Sequence, residues 1–260
     1  MTPPATMNLL GTPLCLTTYD ALIAGSRTWG RDAPVAVDFS NTQIVTMRGL
    51  DEAFRRTTRC MDLFVPDGMP LIWALNDRGA GLQDRVYGPT FLRRCIAANA
   101  DGPQHYFLGG SEECGRRLVA NLKRATPGLR VAGTYHGPCD AEGRLEGDDD
   151  DRVVREINEA GADFIWVGLG TPKQYAWIER NKRRLRRGVI LAVGYAFDVN
   201  AGTKADAPMW MQRAGLTWLF RMKEEPRRLA GRYLKWNSLF LYCLLREPFL
   251  SFDRDDGPAL

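Results

Sequence analysis

Two kinds of residue in this chain could do chemistry together: a carboxylate at the end of one apolar run, and glycines at the ends of others. Val65-Pro66-Asp67-Gly68 places Asp67 directly after a short apolar segment. A carboxylate there can accept the proton of an attacking hydroxyl. It can equally cap the helix that follows, and spacing alone slightly favours the cap. The run Phe164-Ile165-Trp166-Val167 stops at Gly168-Leu169-Gly170, and Val189–Val193 stops at Gly194. Glycine lets a ligand approach the backbone, and the start of a helix favours an anion. A nucleotide diphosphate is the natural ligand, although a tight strand-to-helix turn explains Gly168 and Gly170 about as well. The dinucleotide fingerprint fails: its sixth position is Lys173, and no acid follows some twenty residues on.

These groups need elements to hold them. Thr171-Pro172 predicts an N-cap and first helical position, with the helix running to a basic end at Arg183–Arg187 and closing at Gly188. The unit from Asp163 to Ala207 thus reads as βαβ, with glycine at the carboxyl ends of both strands, where open parallel sheets keep their ligands. Upstream, strands are expected at Val35–Phe39, Leu63–Pro66, His105–Leu108 and Leu129–Tyr135. Residues 1–12 read as frayed or strand-like. Helices are expected from Thr18, from Asn41 or Thr42 through Phe54, after Gly68, from Thr90 and from Glu113. The aspartates 148–151 read as a solvated helix start that opposes the macrodipole, not as a metal site. The alternation predicts an α/β fold: a Rossmann-like, mostly parallel sheet with helices on both faces. Strands cease near Pro208, so residues 1–207 form the expected core and 208–260 a C-terminal helical appendage.

Composition narrows the function. The net charge of +4 is mild but uneven, with Arg and Lys concentrated in 176–187 and 213–235. That pattern suits a phosphate ligand or an anionic membrane surface better than nucleic acid. Six cysteines without CxxC pairs, and two histidines, argue against metal sites and a disulfide framework and point to a reducing cytoplasm. The N-terminus lacks signal-peptide character, and the longest apolar run, Leu239–Leu245, is too short to span a bilayer.

The segments PDGMPLIWAL, FLGGSEE, DFIWVGLGTPKQYAWIERN and VGYAFDVNAGTKADAPMWMQRAGLTWLFRMKEEPRRLAGRYL together resemble the WecG/TagA/CpsF family of bacterial glycosyltransferases, over roughly Val35 to Leu234. The resemblance implies inverting transfer of a sugar from a UDP-sugar substrate, commonly UDP-N-acetylmannosamine or a relative, onto a polyprenyl-diphosphate-linked sugar. Such reactions serve cell-envelope polysaccharide or exopolysaccharide assembly on the cytoplasmic face of the membrane. It makes Asp67 the base and lets Asn41 position the acceptor. Gly109, Gly110, Gly168, Leu169 and Gly170, with Lys173, Gln174, Phe197 and Asp198, would line the UDP-sugar pocket. Arg221, Arg228 and Arg232 would face a diphosphate. No Asp-x-Asp pair stands beside a strand end, so guanidinium groups would offset the leaving charge without a metal; a solvated helix face is the alternative for them. The chain departs from the family pattern at Phe39 (usually Thr), Tyr175 (often an acid) and Asp206 (often Arg).

The basic, aromatic helix expected over Arg227–Leu245 could lie in the membrane interface, or pack on the core or on another subunit, which leaves a homo-oligomer open. Two other functions compete: a nicotinamide-dependent oxidoreductase, and a non-catalytic membrane-docking protein with a vestigial nucleotide site.

Overall fold

A computed structural model of the chain describes residues 3–247, 250 and 252. Its strands are β1 (Thr6–Leu9), β2 (Thr12–Cys15), β3 (Val35–Ser40), β4 (Leu63–Pro66), β5 (Gln104–Gly109), β6 (Arg130–Tyr135), β7 (Phe164–Gly168) and β8 (Val189–Ala192). They form one sheet in the order β1-β2-β4-β3-β8-β7-β5-β6. Every pairing is parallel except that of β1 with β2. The N-terminal residues expected to be frayed or strand-like form this antiparallel edge.

The central strands are apolar on both faces because helices cover both. The period of two sorts Ala36, Ile165 and Ile190 to one face, and Val37, Trp166 and Leu191 to the other. The first face is covered by α2 (Thr42–Leu50), α3 (Glu52–Thr57), α4 (Met69–Asn76), α7 (Asp149–Glu159) and α8 (Lys173–Asn181). The second carries α1 (Tyr19–Ser26), α5 (Gly88–Ala98), α6 (Glu112–Ala125) and α9 (Ala196–Ala201). The helices after β3 and β8 therefore leave to opposite faces, and adjacent β3 and β8 frame the crevice at the carboxyl edge of the sheet.

Local chemistry moves several expected boundaries. The helix expected through Phe54 breaks at Asp51, which closes α2 and accepts from Phe54 N–H at 3.0 Å to start α3. Thr171 does not cap α8: Pro172 holds the cap position without a side-chain bond, and the Thr171–Pro172 peptide is cis. The helix also stops at Asn181, before the basic run. Buried Asn181 turns its Nδ2 back onto the Trp177 carbonyl (3.1 Å), a short 3₁₀ turn follows, and Leu185 enters the core in an extended conformation. The acidic helix start is more than solvated. Asp149 accepts from Tyr135 Oη at 2.8 Å, and Asp150 from Trp177 Nε1 at 2.7 Å, tying α7 to β6 and α8.

After Pro208 come α10 (Met209–Arg213), α11 (Thr217–Glu224) and α12 (Pro226–Arg246). Helix α12 packs on α2: Phe240 and Cys243 join the core, and Thr42 Oγ1 donates to Asn237 Oδ1 at 2.8 Å. Arg78 pairs with Glu247 beyond it. Among the described residues no helix is long and apolar enough to cross a membrane.

Candidate functional site

Asp67 follows β4, and its N–H donates to the Ser40 carbonyl at 2.7 Å, locking it to the tip of β3. Its carboxylate does not cap α4. That cap position belongs to Gly68, with no side-chain bond, whereas Asp67 Oδ1 accepts from Gly88 N–H at 3.2 Å, at the start of α5. The structure thereby excludes the cap of α4 for Asp67, whose side chain turns across the crevice to the start of α5. Burial pushes the carboxyl up to about 7, and buried Asp38 adds to the rise; Arg85, the Gly88 N–H and Arg221 oppose it.

Asp67 stands between two cavities of opposite character. One, of about 250 Å³, lies over the βα turns: Gly168, Leu169 and Gly170 form one wall, Gly194 and Tyr195 another. The other, of about 530 Å³, is walled by Met69, Trp73, Trp218, Phe240, Leu241 and Leu244, so α4 and the C-terminal helices enclose it. Asn41, Gln43, Asp67 and Arg221 border both. Asn41 spends its Oδ1 on the N-cap of α2, accepting from Ile44 N–H at 3.2 Å.

Cations concentrate on the polar cavity. Arg221, Arg228, Arg232 and Lys204 line it together with Asp198. Arg228 is held by Glu225 (Nη2 to Oε1, 2.8 Å), and Lys204 by Glu225 at 3.1 Å and Asp198 at 3.4 Å. Arg221 and Arg232 each keep a buried Nε without a partner. The Arg221 guanidinium stacks 3.6 Å from the ring centroid of Tyr195. Guanidinium groups beside glycine turns have the chemistry to pair with an anion.

A model of the glycosyl transferase WecG/TagA/CpsF family matches residues 7–253. The chain belongs to this family. It is 27% identical over 208 residues, 80% of this chain and 78% of the relative, to an N-acetylglucosaminyldiphosphoundecaprenol N-acetyl-beta-D-mannosaminyltransferase of Staphylococcus aureus strain MRSA252. The strain MW2 protein of the same name is 26% identical over the same coverage. Glycosyl transfer in lipid-linked envelope polymer synthesis is thus the family's chemistry, and the nicotinamide alternative finds no support in it.

The crevice gathers most of the residues that the sequence singled out. Asn41, Asp67, Gly168, Leu169, Gly170, Gln174, Asp198, Arg221, Arg228 and Arg232 all border one cavity or both. Four others lie outside the lining. Lys173 points away, its Nζ donating to the Cys139 carbonyl at 2.9 Å. Phe197 is buried beneath the turns, where a Cβ on Gly168 would come within 2.5 Å of its ring. Gly109 (φ +113) packs its Cα on the Gly168 backbone, and Gly110 (φ +76) lies over Cys114 and Phe197. Phe197, Gly109 and Gly110 shape the turns from behind.

The sequence reading missed Arg85. Only 6% exposed, it lies in the apolar cavity 4.3 Å over the Tyr87 ring and donates to Thr217 Oγ1 at 3.2 Å, supplying a cation beside Asp67. Nothing in Gln83-Asp84-Arg85-Val86 marks it, because its role comes from a loop folding back over β4. Gln43, Thr171, Tyr195 and Lys204 were missed too; of these, Thr171, Tyr195 and Lys204 lay inside the segment already singled out.

Proposed function

We propose that the chain transfers N-acetylmannosamine, or a related hexose or its uronate, with inversion from its UDP-sugar to a saccharide carried on a polyprenyl diphosphate. The observation that carries this is the position of Asp67 at the border between a small cationic cavity and a larger apolar one. The nucleotide-activated sugar fits the first, its diphosphate on Arg221 and Arg232. The second suits the lipid-proximal part of the acceptor, since its walls are aromatic and aliphatic. The acceptor hydroxyl attacks the anomeric carbon, Asp67 takes its proton, and UDP leaves as guanidinium groups neutralise the charge on its diphosphate. A base with its pKa near 7 is half ionised at neutral pH and matched to that transfer. The Asn41 Nδ2, left free by the N-cap, is placed to orient the acceptor.

The C-terminal helices α10 to α12, Met209 to Arg246, bring the apolar cavity to a membrane surface in this reading. Leu241 and Leu244 line the cavity, while Leu234, Tyr242 and Leu245 on the same helix α12 are exposed. Arg227, Arg246 and Lys235 accompany them, the composition of an interfacial helix. We place the enzyme on the cytoplasmic face of the membrane as a peripheral protein.

The test is turnover. UDP-N-acetylmannosamine and a water-soluble polyprenyl-diphosphate N-acetylglucosamine analogue are incubated with the enzyme, and UDP release is followed. Asp67→Asn is expected to abolish release while a thermal shift with UDP persists. Release by the variant at the wild-type rate would remove Asp67 as base. UDP binding without any turnover by the wild type would favour the vestigial docking protein.

A further inference from the structure

The apolar cavity contains a cation that no carboxylate neutralises by contact. Arg85 is 6% exposed and lines this cavity, not the polar one. Its Nη2 donates to Gln212 Oε1 at 3.4 Å and to Thr217 Oγ1 at 3.2 Å, both uncharged. Among the described residues its Nε and Nη1 have no protein acceptor, and no ion pair joins it to Asp67. A buried charge without a counter-charge is costly, so a cavity holding one is suited to an anionic ligand.

The neighbours of Arg85 hold it without cancelling its charge. Gln212, on α10, gives its Nε2 to Asp206 Oδ2 at 3.3 Å and to the Ala207 carbonyl at 2.8 Å, which leaves its Oε1 for Arg85. Asp206 is fixed in turn: its Oδ1 accepts from Tyr87 Oη at 2.7 Å and from Ala207 N–H at 2.9 Å. Asp206 therefore reaches Arg85 only through Gln212. With Nη2 engaged and one face of the guanidinium lying 4.3 Å over the Tyr87 ring, Nε and Nη1 remain as donors. A guanidinium stays charged at any working pH and pairs with phosphate oxygens through charge-assisted hydrogen bonds.

We infer that Arg85 binds the diphosphate of the lipid-linked acceptor, and that Gln212 holds it in place for that task. This rests on the transferase reading above and deepens it. The polar cavity has its own cations for the donor, Arg221, Arg228, Arg232 and Lys204, and Arg85 is not among them. Asp67, where the acceptor hydroxyl must lie, lines the same cavity as Arg85, and so do Trp73, Leu241 and Leu244, which suit hydrocarbon. An acceptor that spans the two carries its diphosphate between sugar and lipid. Among the described residues only Arg85 and Arg221 bring positive charge to this cavity, and Arg221 is shared with the donor side. Gln212 is a positioning residue that touches neither substrate.

The test compares two acceptors on the full chain: N-acetylglucosamine joined to one alkyl chain through a diphosphate, or as an uncharged alkyl glycoside. UDP release from UDP-N-acetylmannosamine gives kcat/KM for each at a single pH, so the ionisation of Asp67 cancels from their ratio. The wild type is expected to favour the diphosphate acceptor about tenfold or more, the worth of a charge-assisted hydrogen bond. In Arg85→Gln that preference should shrink to within about threefold, with UDP affinity by calorimetry unchanged, and Arg85→Lys should recover part of it. Gln212→Met should lower the preference by raising KM for the diphosphate acceptor, and it carries the test if Arg85→Gln does not fold. Equal use of both acceptors by the wild type, a preference that survives in the variants, or a parallel loss of UDP affinity would each overturn the inference alone. Absence of UDP release with either acceptor would overturn the transferase reading, and this inference with it.

Discussion

The pH dependence of turnover gives the sharpest test of the catalytic geometry. Burial raises the Asp67 carboxyl from 3.8 to about 7. Only the ionised form can accept a proton, so activity rises with pH through that value. From a pKa near 7, the ionised fraction grows from about 9% at pH 6 to about 91% at pH 8, a roughly tenfold rise in kcat/KM. An unperturbed carboxylate would leave the profile flat over that range. Arg85 opposes the rise electrostatically, so Arg85→Gln should move the acidic limb to higher pH, each unit being worth about 1.4 kcal/mol. Asp67→Asn should lower kcat by about 10²–10⁴-fold and remove the limb. UDP release, measured over a range of acceptor concentrations between pH 5.5 and 8.5 in constant-ionic-strength buffers, gives both kcat and kcat/KM and reads all three. A flat wild-type profile, or a limb that survives in Asp67→Asn, would refute the assignment of Asp67 as the titrating base.

Three further outcomes follow from packing and burial. Gly168→Ala would put a Cβ 2.5 Å from the Phe197 ring, which is 1% exposed and cannot swing clear; thermal unfolding should show a loss of about 1–3 kcal/mol, partly restored by Phe197→Leu. Burial also raises Asp38 to about 6, so the folded state holds that proton to higher pH than the unfolded chain, and stability falls as pH rises from about 4 to about 6; urea titrations should find that slope reduced in Asp38→Asn. Replacing exposed Leu245 and Tyr242 by glutamate should weaken sedimentation with anionic vesicles severalfold and leave UDP affinity unchanged.

Much of the architecture was readable because it repeats local rules. Apolar runs of strand length marked β3, β4, β5, β7 and β8 within a residue or two, and all but that of β3 end at glycine, proline or aspartate. The dense match of segments around Asp67, Gly168 and Phe197 pointed to the family. Boundaries failed where a side chain overrode the backbone signal. Asn181 bonded back on Trp177 and ended α8 ahead of its basic tail, and Pro172, not Thr171, took the cap. The family resemblance put Lys173 in the lining of the UDP-sugar pocket, yet its Nζ reaches the Cys139 carbonyl instead.

The sequence by itself determined the layering and the strand tips, since periodicity and turn residues act over a few positions along the chain. Tertiary structure decided what those tips do. Asp67 chose Gly88 over its own helix, and Arg85 came to lie beside it. The C-terminal helices closed an apolar cavity against a cationic one, and Asp38 reached Tyr175 across 137 positions of chain. Each of these depends on groups far apart in sequence sharing a desolvated space. Burial and charge interact there at distances that no local pattern records.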